Sequence, residues 1–271
     1  MYRWLFFAVA MVLGAQSDQN KPFPPHRVIG NVYYVGSQTL ASFLITTPEG
    51  HILINSSFEE TVPVIRAGVE KLGFRFSDIR ILLASHAHSD HVAGHALVKE
   101  LTGARVMVMQ GDDGVVAGGE NGRWKPCRVD RVLRDGDEVK LGGVTMVARL
   151  TPGHTKGCTT WTLKAEEGGK PYNVVIVGSM SVNPGYQLVN NTKYPEIASD
   201  YARAFRVLKT LDCDVFLAPH GVQYGLPEKY EKLGKASVNP FIDSQGYRSY
   251  VETQEKSFLA KLKEQERNSK K

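Results

Sequence analysis

Three things are scarce in this 271-residue chain: cysteine, long apolar runs and charge of one sign. Its three cysteines, Cys127, Cys158 and Cys213, are scattered, and none forms a close Cys-x-x-Cys pair. An odd number so dispersed does not make a disulfide framework, so at least one thiol is expected to stay free or buried. No apolar stretch approaches the ~20 residues that a helix needs to cross a bilayer. The net charge is only +5, from 33 basic and 28 acidic residues, with a small excess at Lys261, Lys263, Arg267, Lys270 and Lys271. No aromatic residues interleave with a basic stripe, so that tail reads as the solvated end of a helix, and nucleic-acid binding is not implied.

What is present is enough apolar residue, 42% of the total, for one domain with a thick core. The chain opens with Met1-Tyr2-Arg3, an apolar run from Trp4 to Leu13, and the small or polar residues Gly14-Ala15-Gln16-Ser17. A basic start, a greasy middle about half a bilayer span long and small residues at its end read as a secretory signal peptide. That leader is expected over residues 1–17, cut after Ala15 or Ser17. The mature chain, 18–271, is expected to be one periplasmic or secreted domain, monomeric and without stable membrane insertion. Export would place the cysteines in an oxidising compartment.

The runs Val32 to Val35, Phe43 to Thr46 and Ile52 to Ile54 are rich in β-branched and aromatic residues. Turn signals at Gly36-Ser37 and Pro48-Glu49-Gly50 separate them, so they read as consecutive antiparallel strands. Val62, Ile65, Val69 and Leu72 then fall at helical spacing until Gly73. Ile79 to Ala84 reads as a buried strand, Val92 to Leu101 as a helix and Arg105 to Met109 as a strand. The second half is similar: strands near Val144 to Leu150, Thr159 to Leu163 and Val174 to Val177, a helix from Ala198 to Leu211, a strand Val215 to Ala218. A last helix carries Tyr247, Val251, Phe258 and Leu262 on one stripe. Two mixed halves imply an α/β four-layer αββα sandwich: two mixed sheets packed together, with helices on both outer faces.

Chemistry concentrates at strand ends. The strand closing at Ala84 runs into Ser85-His86-Ala87-His88-Ser89-Asp90-His91. His154 follows another strand in Thr151-Pro152-Gly153-His154-Thr155, and His220 follows a third in Ala218-Pro219-His220-Gly221. A lone histidine after a strand is usually a satisfied loop residue. Four titratable groups within six positions are another matter, because without a cation they would repel and pay for their own desolvation. Imidazole and carboxylate donors in that density suit zinc. His26, in the proline-rich leader, His51, in a turn, and His95, on a helix, read as structural. The glycine-rich stretch Gly111 to Lys125, with Trp124, reads either as a mobile edge of the site or as an inert surface loop.

The run His86 to His91, with Gly153-His154-Thr155 and Pro219-His220-Gly221, resembles the metallo-β-lactamase superfamily. Ser179-Met180-Ser181, Asn183-Pro184-Gly185-Tyr186-Gln187-Leu188, Asp212-Cys213-Asp214-Val215 and Asn239-Pro240-Phe241 resemble its class B, subclass three members. The resemblance spans about His26 to Phe258 and implies the same αββα sandwich. It implies a first Zn2+ held by His86, His88 and His154 and a second held by Asp90, His91 and His220. Ser179 stands where related thioesterases of the glyoxalase II type carry a bridging carboxylate and another lactamase subclass a cysteine. Asn55-Ser56-Ser57 departs from the acidic residue and glycines common there. The cystine that several subclass members form from the Cys213 position has no partner in the last helix, so that disulfide is expected to be absent.

The activity implied is zinc-dependent hydrolysis of the β-lactam amide in penicillins, cephalosporins and carbapenems, with a zinc-bridging hydroxide as nucleophile. Asp90, with the histidines His86, His88 and His154, would carry the catalytic centre, and Ser179 and Ser181 would hold the substrate carboxylate. Two other readings stay open: a lactonase or other ester hydrolase on the same scaffold, and a zinc-binding module without catalysis.

Overall fold

Strand sequences here are apolar on both faces because both faces are covered. In Phe43–Thr47 (β3), Gly50–Ile54 (β4), Ile79–Leu83 (β5) and Arg105–Met109 (β6), alternate residues divide between two cores. Phe43, Ile45, Ile52, Ile54, Leu83, Met107 and Met109 join the core between the sheets. Leu44, Leu53, Leu82, Val106 and Val108 face the other way, with Val62, Ile65 and Val69 of the helix Val62–Lys71 (α1) and Val98 of the helix His95–Thr102 (α3). The period of two distributes one continuous apolar run between inner and outer layers.

The protein is described by a computed structural model over residues 20–270; the leader expected over residues 1–17 lies outside the described residues. With His26–Ile29 (β1), Val32–Tyr34 (β2) and Arg131–Leu133 (β7), one sheet runs in the order β1-β2-β3-β4-β5-β6-β7. Its first four strands pair antiparallel and β4 to β7 pair parallel. The second sheet is built from Glu138–Leu141 (β8), Val144–Leu150 (β9), Thr159–Glu167 (β10), Lys170–Ile176 (β11) and Val215–Leu217 (β12). Its order is β12-β11-β10-β9-β8, antiparallel except for the β11–β12 pair. After β12 comes the short helix Leu226–Lys232 (α6), and the helices Ile197–Thr210 (α5) and Ser244–Asn268 (α7) cover the sheet's outer face, where Tyr201 stacks on Phe258 at 5.2 Å between ring centroids. This is the αββα sandwich with two mixed sheets.

Strand direction decides where function can gather. The strands β4 to β7 point one way, and β9, β11 and β12 point alike in the other sheet, so their carboxyl ends meet at one rim. There the sheets are laced together: the Trp161 indole donates to the Ala84 carbonyl at 2.9 Å, and Thr159 N to the Ser85 carbonyl at 2.8 Å.

The strands β1, β7 and β8 have no counterpart in the sequence reading, and three other features differ from it. The helix expected over Val92 to Leu101 is two pieces, Ser89–Val92 (α2) and α3, broken at Gly94. A Cβ on Gly94 would stand 2.7 Å from the Ser56 carbonyl oxygen and 2.6 Å from Val62 Cγ2, so the chain is pinned there by close approach rather than continued as helix. The Gly111 to Lys125 stretch contains a helix, Asp113–Gly122 (α4), with Gly119, Glu120 and Asn121 at positive φ; Val116, Trp124 and Cys127 anchor it in the outer core. His51 lies on β4 rather than in the turn, edge-on to Phe74 at 5.2 Å. Among the described residues, no helix is long and apolar enough to cross a membrane.

Candidate metal centre

All six residues singled out as ligands converge on the common rim. His86, His88 and His154 form one group and Asp90, His91 and His220 another, each with its ligand atoms within 4.8 Å of one another. Three donors at ~2.0 to 2.2 Å from a shared zinc fit that span with small side-chain adjustment. The groups adjoin, the His86 and His91 rings lying 4.3 Å apart between centroids. The bend after β5 supplies four of the six: His86 and His88 from the turn that follows the strand, Asp90 and His91 from the first turn of α2. His154 follows β9 and His220 follows β12. The latter is steadied from the first sheet: Ala41 N donates to the Pro219 carbonyl at 2.9 Å and Gly221 N to the Thr39 carbonyl at 3.1 Å.

The ring orientations fit a metal. His86 Nδ1 donates to the Gly178 carbonyl at 3.2 Å and His154 Nδ1 to the Ser181 carbonyl at 2.7 Å. Each bond fixes the tautomer that leaves Nε2 as a lone-pair donor. Both His91 ring nitrogens are buried without a hydrogen-bond partner among the described residues. The Asp90 carboxylate approaches His91 Nε2 at 3.1 Å, but as an ion-pair contact rather than an aligned bond. Two orphaned nitrogens in a site this dry are costly unless a cation takes one of them.

Electrostatics prepare the same donors. Burial, followed by repulsion from neighbouring rings, holds His86 well below the ordinary imidazole range and lowers His154 to about 3 and His220 to about 4. The rings therefore present lone pairs, not protons, at neutral pH. For Asp90, burial opposes ionisation, yet the facing His91 and His220 outweigh it and hold the carboxyl below the ordinary carboxylate range.

Ser179 is buried just past β11. Ser181 is half-buried, and its backbone carbonyl rather than its hydroxyl makes the recorded contacts, accepting from His154 Nδ1 and from the Tyr201 hydroxyl at 2.7 Å. Three contributors went unread as site residues in the sequence. Tyr186 places its hydroxyl 3.2 Å from His88 Nε2 and donates to the His154 carbonyl at 2.9 Å. Asn55, at positive φ, accepts from Ser85 N at 2.8 Å and so braces the start of the ligand bend. Asp112, fully buried, accepts from Ala87 N, between His86 and His88, at 2.7 Å. Of the other histidines, His95 Nδ1 lies 2.7 Å from Ser56 Oγ and His26 stacks on Tyr34 and Phe241, both in packing roles. Two clefts flank the centre: one of ≈ 370 Å³ bounded by His154, Tyr186, Lys193 and Tyr194, and one of ≈ 790 Å³ bounded by Phe58, Ser89, Arg123 and Trp124.

Fold and donors together define a class: an αββα sandwich with two adjoining three-donor metal sites on one sheet rim. The chain belongs to the metallo-beta-lactamase superfamily, whose family description matches residues 38–220. It is similar to the native FEZ-1 metallo-beta-lactamase from Legionella gormanii, 50% identical with a TM-score of 0.89, over 91% of this chain and 98% of that one. It is also similar to BJP-1, a subclass B3 metallo-beta-lactamase of Bradyrhizobium japonicum, 32% identical with a TM-score of 0.88, over 94% of this chain and 99% of that one. Curated relatives match over shorter stretches. The human mitochondrial persulfide dioxygenase ETHE1 is 29% identical over 104 residues, 38% of this chain. A hydroxyacylglutathione hydrolase of Pseudomonas putida (strain W619) is 45% identical over 76 residues, 28% of this chain. The chain spans 35% of the first and 25% of the second.

Proposed function

We propose that this chain is a zinc-dependent β-lactamase that hydrolyses the cyclic amide of penicillins, cephalosporins and carbapenems. The observation that carries the reading is the donor set: two groups of three, adjoining, on one sheet rim. Near-complete overlap with the FEZ-1 metallo-beta-lactamase supports the substrate class. His86, His88 and His154 would hold one Zn2+, and Asp90, His91 and His220 the other. Zinc bound there supplies Lewis acidity toward a carbonyl oxygen and lowers the pKa of a water toward neutrality.

The chain's own residues divide the remaining work. Asp90, held ionised, accepts a hydrogen bond from the attacking water and so aims its oxygen lone pair at the carbonyl carbon; as the lactam C–N bond breaks, the proton the water loses passes to the ring nitrogen. The Tyr186 hydroxyl, at the lip of the first group, would exchange its bond to the His154 carbonyl for one to the substrate's carbonyl oxygen as charge develops there. Ser179 and Ser181 hold the substrate carboxylate, directly or through water. The cleft beside His154 and Tyr186 takes one flank of a small substrate. On this reading the protein acts as a monomer on a small molecule, and the 1–17 leader exports it to the periplasm or medium.

The matches to hydroxyacylglutathione hydrolases favour a second reading, an ester or thioester hydrolase on the same scaffold. Purified, zinc-loaded protein assayed with a chromogenic cephalosporin, a hydroxyacyl thioester and an acyl-homoserine lactone separates the two. Chelator-sensitive turnover of the cephalosporin is the expected result; turnover of only the ester or thioester would overturn the lactamase reading.

A further inference from the structure

Asp112 lies in neither ligand group, yet it touches both chain segments that present the first one. One carboxylate oxygen accepts from Ala87 N at 2.7 Å and from Thr155 Oγ1 at 2.7 Å; the other accepts from Gly157 N at 2.8 Å. Ala87 separates His86 from His88, and Thr155 follows His154. One buried carboxylate thus joins a loop of the first sheet to a loop of the second.

The surroundings are shaped for this contact. Gly111 has φ +101° and packs on Lys156, where an added Cβ would stand 3.0 Å from the Lys156 carbonyl carbon. A Cβ on Gly157 would stand 2.6 Å from Asp112 N. Both turns are therefore held back to back at a separation that only glycine allows. All three partners donate, so the site demands an acceptor on each oxygen, which a carboxylate meets and an amide does not.

We infer that Asp112 is a positioning residue for the first metal site: it sets the separation of the His86–His88 bend from the His154 loop, and so the affinity of that site over its neighbour. The inference rests on the zinc reading above. Among the described residues Asp112's side chain hydrogen-bonds to Ala87, Thr155 and Gly157 and to none of the second group, and His220 is steadied by Pro219 and Gly221 pairing with Ala41 and Thr39 instead. The effect is accordingly expected at one site of two.

The test measures zinc binding by competition with a chromogenic chelator for wild type, Asp112→Asn and Thr155→Val, with thermal melts of the metal-free proteins alongside. In Asp112→Asn the amide turns an N–H toward either Ala87 or Gly157, and one of two zincs should weaken by about 10- to 100-fold. The other should change by less than about threefold. Thr155→Val, which removes one donor and keeps the carboxylate, should weaken the same zinc by a smaller factor, and serves if Asp112→Asn does not fold. Excess zinc should restore turnover in both. Two zincs of wild-type affinity in the variants, or equal weakening of both, overturns the inference. A wild type that binds no zinc overturns the metallohydrolase reading instead.

Discussion

At the scale of single residues, the site separates side chains that supply donors from those that supply backbone. His154 does the first, so His154→Ala should cost one zinc of two and nearly all turnover, read by metal analysis and kcat/KM. Ser181 does the second toward His154, through a carbonyl that alanine would keep. Ser181→Ala should therefore leave zinc content and kcat nearly unchanged and raise KM, because only carboxylate binding common to ground and transition states is lost. Equal losses of kcat from both variants would contradict the division. The buried rings also set a pH dependence. His154 and His220, lowered to about 3 and about 4, take up protons on unfolding toward the ordinary value of 6.5. Their contribution to the stability of the metal-free protein is complete above pH 6.5 and is lost as pH falls toward 4 and 3. Melting temperature in chelator should fall across that window, less steeply in His154→Gln than in wild type; parallel curves would refute it.

At the scale of elements, regular features were legible and long-range ones were not. The strands β3 to β6 could be read because burial on both faces leaves short, nearly uninterrupted apolar runs, and the ligand bend after β5 because four donors crowd six positions. The break at Gly94 could not, because its cause is the Ser56 carbonyl and the Val62 side chain, far away in sequence. The strands β7 and β8 are only three and four residues long, β7 with Val132 exposed and β8 with Glu138 and Lys140 exposed, so they left no clear pattern. Asp112 was invisible for a similar reason, its partners lying 25, 43 and 45 residues away. Gly94→Ala should destabilise the fold by about 1–3 kcal/mol, as overpacking does, measured by urea unfolding. The helix α7 adds a less expected contact. Gln265 accepts from Leu188 N at 2.7 Å and donates to the Tyr186 carbonyl at 2.8 Å, clamping the loop that carries the Tyr186 hydroxyl. Gln265→Ala should raise KM severalfold and speed amide exchange over 183–188, since each neutral bond contributes about 0.5–1.5 kcal/mol. Unchanged exchange there would show that the loop holds itself.

At the scale of the whole molecule, metal and fold are linked by mass action. Zinc at 100 times its dissociation constant stabilises by about 2.7 kcal/mol per site, so chelation should lower the melting temperature and added zinc restore it; equal melts would show that the cations do not bind the folded state alone. Cys213 stays unpaired, as do Cys127 and Cys158, so reductant should leave the transition where it is.

The sheets change over between Leu133 and Glu138, and every trio of donors straddles that point: His86 and His88 precede it while His154 follows, and Asp90 and His91 precede it while His220 follows. A chain nicked near Gly136 would yield two fragments, each with its own sheet and neither with a whole cation cage. Catalysis would return only on their reunion, and zinc would be the rivet.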